Sequence, residues 1–63
     1  MHYFVKERRE QLGMSQAELI KKSGVSRSEI FQLENGFEGE IKIGTLMALM
    51  KTLKCSLNKI VKD

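Results

Sequence analysis

The sequence contains no proline and no tryptophan, and only one cysteine, one histidine and one tyrosine among 63 residues. The lone Cys55 cannot build an intramolecular disulfide framework or a zinc site on paired thiolates, so a reducing, cytoplasmic setting is the simplest expectation. With His2 the only histidine, no nucleophile–base pair and no metal-ligand spacing is present, and neither enzymatic activity nor a metal or other cofactor is expected. No apolar run approaches the ~20 residues of a membrane-spanning helix, and the start MHYFVKERRE becomes charged too early for a secretory segment. Nor does one sign of charge dominate: 11 Lys and Arg against 8 Asp and Glu leave +3, which permits an anionic partner without demanding one.

What is present suits a small folded unit. Hydrophobic residues make up 41%, too many for a disordered chain, and the length allows a single domain over 1–63. Glycines at 13, 24, 36, 39 and 44, with serines where helices would begin, divide the chain into pieces of about ten residues. Val5 and Leu12, with Phe4 beside them, predict a first helix from about Tyr3 to Leu12, ended by Gly13. Ser15 and Glu18 have the spacing of a capping box and open a second helix, with Leu19 and Ile20 inward and Gly24 as its stop. Ser26 then caps a third helix, through Ile30 and Leu33 to Asn35-Gly36. Two short helices joined so tightly cross steeply, as in a helix-turn-helix. Ile43, Leu46, Leu49, Met50 and Leu53 mark a fourth helix, and Ser56 caps a short fifth bearing Leu57, Ile60 and Val61. No strand-like alternation is found. The expected fold is all-α, a compact bundle of about five short helices.

The run MSQAELIKKSGVSRSEIFQLENG resembles the helix-turn-helix of the phage repressor and Cro family, the Cro/CI-type or XRE-type DNA-binding domains. The likeness extends from Val5-Lys6-Glu7-Arg8-Arg9 through Leu12-Gly13, Ser15-Gln16, Gly24-Val25-Ser26 and Leu33-Glu34-Asn35-Gly36 to Thr45-Leu46 and Ser56-Leu57. It implies that the third helix enters the major groove of double-stranded DNA, with base contacts from Ser26, Arg27, Ser28 and Gln32. It also implies phosphate contact by Gln16 and Asn35, to which Lys42, the only cation of the following loop, is added. Arg9 and Glu34 match a family ion pair that is structural. Geometry agrees on the central readers: at about 100° per residue, Ser28 and Gln32 lie opposite Ile30 and Leu33. Gln32 suits adenine N6 and N7, whereas Arg27 suits guanine O6 and N7 or a phosphate.

Departures from the family pattern accompany the likeness. Ile20 stands where a small residue is usual, and the loop from Phe37 to Ile41 carries Glu38 and Glu40 where basic phosphate contacts are common, so modest nonspecific DNA affinity is expected. Glu29 flanks the reading face and either repels phosphate or accepts from cytosine N4. Phe31 either meets a thymine methyl group, packs on Phe37, or forms with it a patch for a protein partner. Lys21, Lys22, Lys51, Lys54, Lys59 and Lys62 read as solvated, Met47 and Met50 as core or interface filler. The expectation is a small transcriptional repressor, homodimeric on a palindromic operator through Ile60, Val61, Leu57 and Met47, with no membrane association. The alternative is a protein-interaction module, anti-repressor or antitoxin-like, on the same fold.

Overall fold

The structure, a computed structural model, describes residues 2–37 and 39–62; for His2, Leu57, Val61 and Lys62 it describes the backbone alone. In chain order the elements are β1 (His2–Tyr3), α1 (Val5–Gln11), α2 (Gln16–Ser23), α3 (Arg27–Glu34), α4 (Ile43–Thr52), α5 (Leu57–Ile60) and β2 (Val61–Lys62). The architecture is an all-α bundle of five short helices, closed by one minimal antiparallel bridge between its ends. That bridge pairs His2 with Lys62 and Tyr3 with Val61, and the Phe4 N–H extends it by donating to the Ile60 carbonyl at 2.7 Å. Two residues per strand are too few to show the alternation by which a strand is recognised, so the sequence reads Tyr3 as helix and Val61 as part of α5.

The helix boundaries have local causes. Ser15 accepts from the Glu18 N–H at 3.1 Å while Glu18 accepts from the Ser15 N–H at 3.3 Å, a complete capping box at the start of α2. Ser26 accepts from the Glu29 N–H at 3.2 Å and caps α3. Between them Gly24 ends α2 in the left-handed conformation at φ 73°, which a residue without Cβ adopts at low cost, and Val25 is buried immediately after it. At the end of α5's approach, Ser56 differs from expectation: its hydroxyl donates to Asn58 Oδ1 at 2.6 Å, and its carbonyl receives the Lys59 N–H.

α4 closes with the same pair of bonds as α1, where the Met14 N–H returns to the Arg9 carbonyl at 3.1 Å and the Gly13 N–H to that of Glu10 at 3.0 Å, but with a different residue at the turn. The Cys55 N–H returns to the Met50 carbonyl at 3.1 Å and the Lys54 N–H to that of Lys51 at 3.4 Å, the two bonds of a Schellman motif. The left-handed position is filled by Lys54, at φ 53°, rather than by glycine. Arg8 reaches this end from α1: Nε donates to the Leu53 carbonyl at 3.0 Å and Nη2 to the Lys54 carbonyl at 3.2 Å. A cation on terminal carbonyls opposes the negative end of the helix dipole.

The core is one cluster of Tyr3, Val5, Leu19, Val25, Ile30, Leu33, Leu49, Leu53 and Ile60. Each fully buried aliphatic side chain contributes about 1.5–3 kcal/mol relative to exposure. Ile20, where a small residue is usual, is half-buried and packs against this cluster. Three expectations fail here. Leu12 is the C-cap of α1 and lies at the surface, and Ile43, first residue of α4, is 72% exposed because the core-facing stripe of that helix runs through Leu49 and Leu53. Ile60 is fully buried against its own chain and cannot contribute to a dimer interface. Met47 is 60% exposed, whereas the side chains of Leu57 and Val61 lie outside the described residues.

Candidate nucleic-acid interface

α3 lies with Ile30 and Leu33 in the core and Arg27, Ser28, Phe31 and Gln32 exposed. A helix gripped by two buried aliphatics presents its opposite side in a fixed orientation. Ser28 and Gln32, one turn apart, form the middle of that side, with Arg27 before them. Asn35, at the C-cap, donates from Nδ2 to the Phe31 carbonyl at 2.7 Å, which leaves its side-chain carbonyl outward. Lys42 is the N-cap of α4, is exposed, and borders with Gln32 a groove of about 350 Å³ floored by Leu33, Phe37 and Ile41. The fold thus brings Gln32 and Lys42, ten positions apart, to the rim of one depression.

The start of α3 is more constrained than its sequence suggests. Ser26 accepts the Glu29 N–H and also donates its hydroxyl proton to Glu29 Oε1 at 3.1 Å. Glu29 Oε2 accepts in turn from Thr45 Oγ1 of α4 at 3.1 Å. Glu29 is therefore half-buried and engaged by two hydroxyls, rather than a free acid beside the reading face. Ser26 retains only an acceptor lone pair for an outside group. Thr45 is a member of this network that sequence reasoning missed; a threonine in the first turn of α4 carries no sign that its hydroxyl points at another helix.

Beneath α3, the Arg9 guanidinium and Glu34 carboxylate meet through two parallel bonds, Nε to Oε2 at 2.8 Å and Nη2 to Oε1 at 3.0 Å. Their side chains are 12% and 3% exposed. Arg9 Nη1 donates to the Met14 carbonyl at 2.9 Å, so one guanidinium joins α1, the α1–α2 turn and α3. Hydrogen bonding to Glu34 holds Arg9 above its ordinary arginine range, outweighing the loss of hydration. Gln16, in the first turn of α2, donates from Nε2 to Glu34 Oε1 at 3.2 Å. Its amide is thereby oriented, with the second Nε2 hydrogen left for an outside acceptor. Arg9, Glu34 and Gln16 form one chain of bonds, while Arg27, Ser28 and Lys42 make no side-chain bond to it.

Phe37 does not stack on Phe31. It stacks on Tyr3, with centroids 6.0 Å apart and planes at 28°, and the Tyr3 hydroxyl donates to the Gly39 carbonyl at 2.7 Å. Phe31 remains 57% exposed and borders a shallow groove of about 280 Å³ that Phe37 also lines. Among the described residues, no group of three or more His, Cys, Asp or Glu could hold a metal ion, and no helix is long and apolar enough to cross a membrane.

No curated protein and no solved structure was found that matches the chain. The protein family described as Helix-turn-helix matches residues 5–60, which takes in all five helices. This is a family of regulatory DNA-binding domains rather than of enzymes. The chain therefore belongs to the XRE-type helix-turn-helix family of DNA-binding transcription regulators.

Proposed function

We propose that the protein is a sequence-specific transcriptional repressor, formed by a single domain over 1–63, that reads double-stranded DNA through α3 and acts as a cytoplasmic homodimer on a palindromic operator. The observation that carries this reading is the exposed polar side of α3, held from behind by buried Ile30 and Leu33 and at its two ends by the Ser26–Glu29–Thr45 and Arg9–Glu34 bonds. On this reading Ser28 and Gln32 contact base edges, Arg27 contacts guanine or phosphate, and Ser26 serves as an acceptor for a base amino group. Gln16, Asn35 and Lys42 contact the phosphate backbone, and Arg9 with Glu34 remains a structural pair.

A dimer on half-sites one helical turn apart needs centres about 34 Å from one another. The longest Cα extent of the molecule is 26 Å, and side chains add about 3 Å at each end, so two copies at that spacing come near one another only when their long axes lie along the line between them. Exposed Met47, with Ile43 one turn before it, is an apolar contribution to such a contact.

Selection from a random duplex library, read by sequencing, tests the proposal. Enriched sites are expected, Gln32→Ala relaxing preference at one position and Gln16→Ala weakening all sites together. Absence of enrichment for any sequence would overturn the reading. The second reading, an anti-repressor or antitoxin-like module that binds a protein through Phe31 and Phe37, draws on the 57% exposure of Phe31 beside their shared groove. Salt separates the two, since DNA binding weakens steeply as salt rises and an apolar contact does not.

A further inference from the structure

Away from α3, the C-terminal ends of α1, α2 and α4 converge on an open groove of about 630 Å³. Its apolar part is formed by Leu12, Met14 and Ala48, with Leu12 at the surface and the other two half-buried. Its polar part carries three exposed ammonium groups, Lys22, Lys51 and Lys54, and no carboxylate lines it. Lys22 makes only a long exposed pair with Glu18, at 3.9 Å, and among the described residues no ion pair involves Lys51 or Lys54. Arg8, bonded to the Lys54 carbonyl, adds another positive charge beside this end. Lys54 itself occupies a left-handed backbone position, φ 53°, in which glycine is the low-cost residue. A strained position that retains a charged side chain directed to a cleft motivates a functional reading.

We infer that this groove is a docking site for an acidic peptide segment of a partner protein, one or two of whose apolar side chains lie on Leu12, Met14 and Ala48 while its carboxylates meet Lys22, Lys51 and Lys54. Complementarity of charge selects the occupant: an uninterrupted set of cations around an apolar strip matches a segment that alternates acids with large aliphatics. A peptide suits an open cleft with long, movable lysines along one side better than an enclosed small molecule would. No residue of α3 lines the groove, and neither do Gln16, Asn35 or Lys42, so the site is separate from the proposed DNA contacts and stands whether or not that proposal does.

The test is titration of the isotope-labelled 63-residue chain with a synthetic peptide of about twelve residues rich in glutamate and carrying two leucines, followed by NMR. Saturable shifts are expected at Leu12, Met14, Ala48, Lys51 and Lys54. Lys51→Gln with Lys54→Gln, both at exposed positions, should weaken binding about fivefold or more, the scale of two exposed ion pairs, and a peptide with serine in place of both leucines should weaken it as well. Shifts centred instead on Ser28 and Gln32 would mean that the peptide imitates DNA on the reading face, and would overturn the inference. So would undiminished affinity in the doubly substituted protein.

Discussion

Glu34 accepts two bonds from Arg9 and one from Gln16 with almost no exposure to solvent. Replacing one member of such a pair strands the other as a buried charge, whereas replacing both removes the desolvation cost with the attraction. Glu34→Gln should lower unfolding free energy by about 3–5 kcal/mol, and Arg9→Met combined with Glu34→Leu by much less; chemical denaturation of the three proteins checks this. Because Arg9 is raised above its ordinary value in the folded state, the contribution of its protonated form is fully present below the unfolded value and fades only as pH climbs through the folded one. The window therefore lies at the alkaline extreme, and arginine titration leaves neutral-pH stability untouched. A second residue-scale expectation concerns Gly39. A Cβ there would lie 2.7 Å from Phe37 Cζ, and that ring is held against Tyr3. Gly39→Ala should displace the ring, lower stability by about 1–3 kcal/mol, and alter the emission of Tyr3, the sole tyrosine in a chain without tryptophan.

At the scale of elements, legibility depended on how local the determinant is. The starts of α2 and α3 were readable because a serine and an acid three residues later act on backbone groups within one turn. The ends at Gly13, Gly24 and Gly36 were readable for the same reason. The end of α4 was not, since its left-handed residue is a lysine and its carbonyls are met by Arg8 from 45 positions away. Lys54→Gly should accordingly raise stability by about 1 kcal/mol in thermal unfolding, through relief of the crowded Cβ, less the extra freedom glycine brings to the unfolded chain. The same substitution removes one cation from the groove, so its effects on stability and on peptide binding should run in opposite directions.

Over the whole molecule, charge is thinly spread for a nucleic-acid binder. Of the proposed DNA contacts only Arg27 and Lys42 are cationic, while Gln16 and Asn35 are neutral. The affinity of each protomer for duplex DNA should therefore depend on salt with a logarithmic slope of only about −2, measurable by fluorescence anisotropy across a salt series. A slope several times steeper would show that lysines outside the proposed set also meet phosphate. The closing of the molecule is likewise a global property: β1 and β2, from opposite ends of the chain, pair beside buried Tyr3 and Ile60.

By itself the sequence determined the helix order, the caps, the helix-turn-helix and the polar side of α3, because each follows from residue types within a turn or two of one another. Which apolar residues are enclosed was decided only in three dimensions: Ile43 and Leu12 share the period of the core yet lie at the surface, and Ile60 went the other way. The same holds for the bonds of Glu29 to Thr45, of Gln16 to Glu34 and of Arg8 to the end of α4. Hydrogen bonds between helices depend on how the helices are turned and offset, and that is set by the joint packing of the core rather than by any single segment.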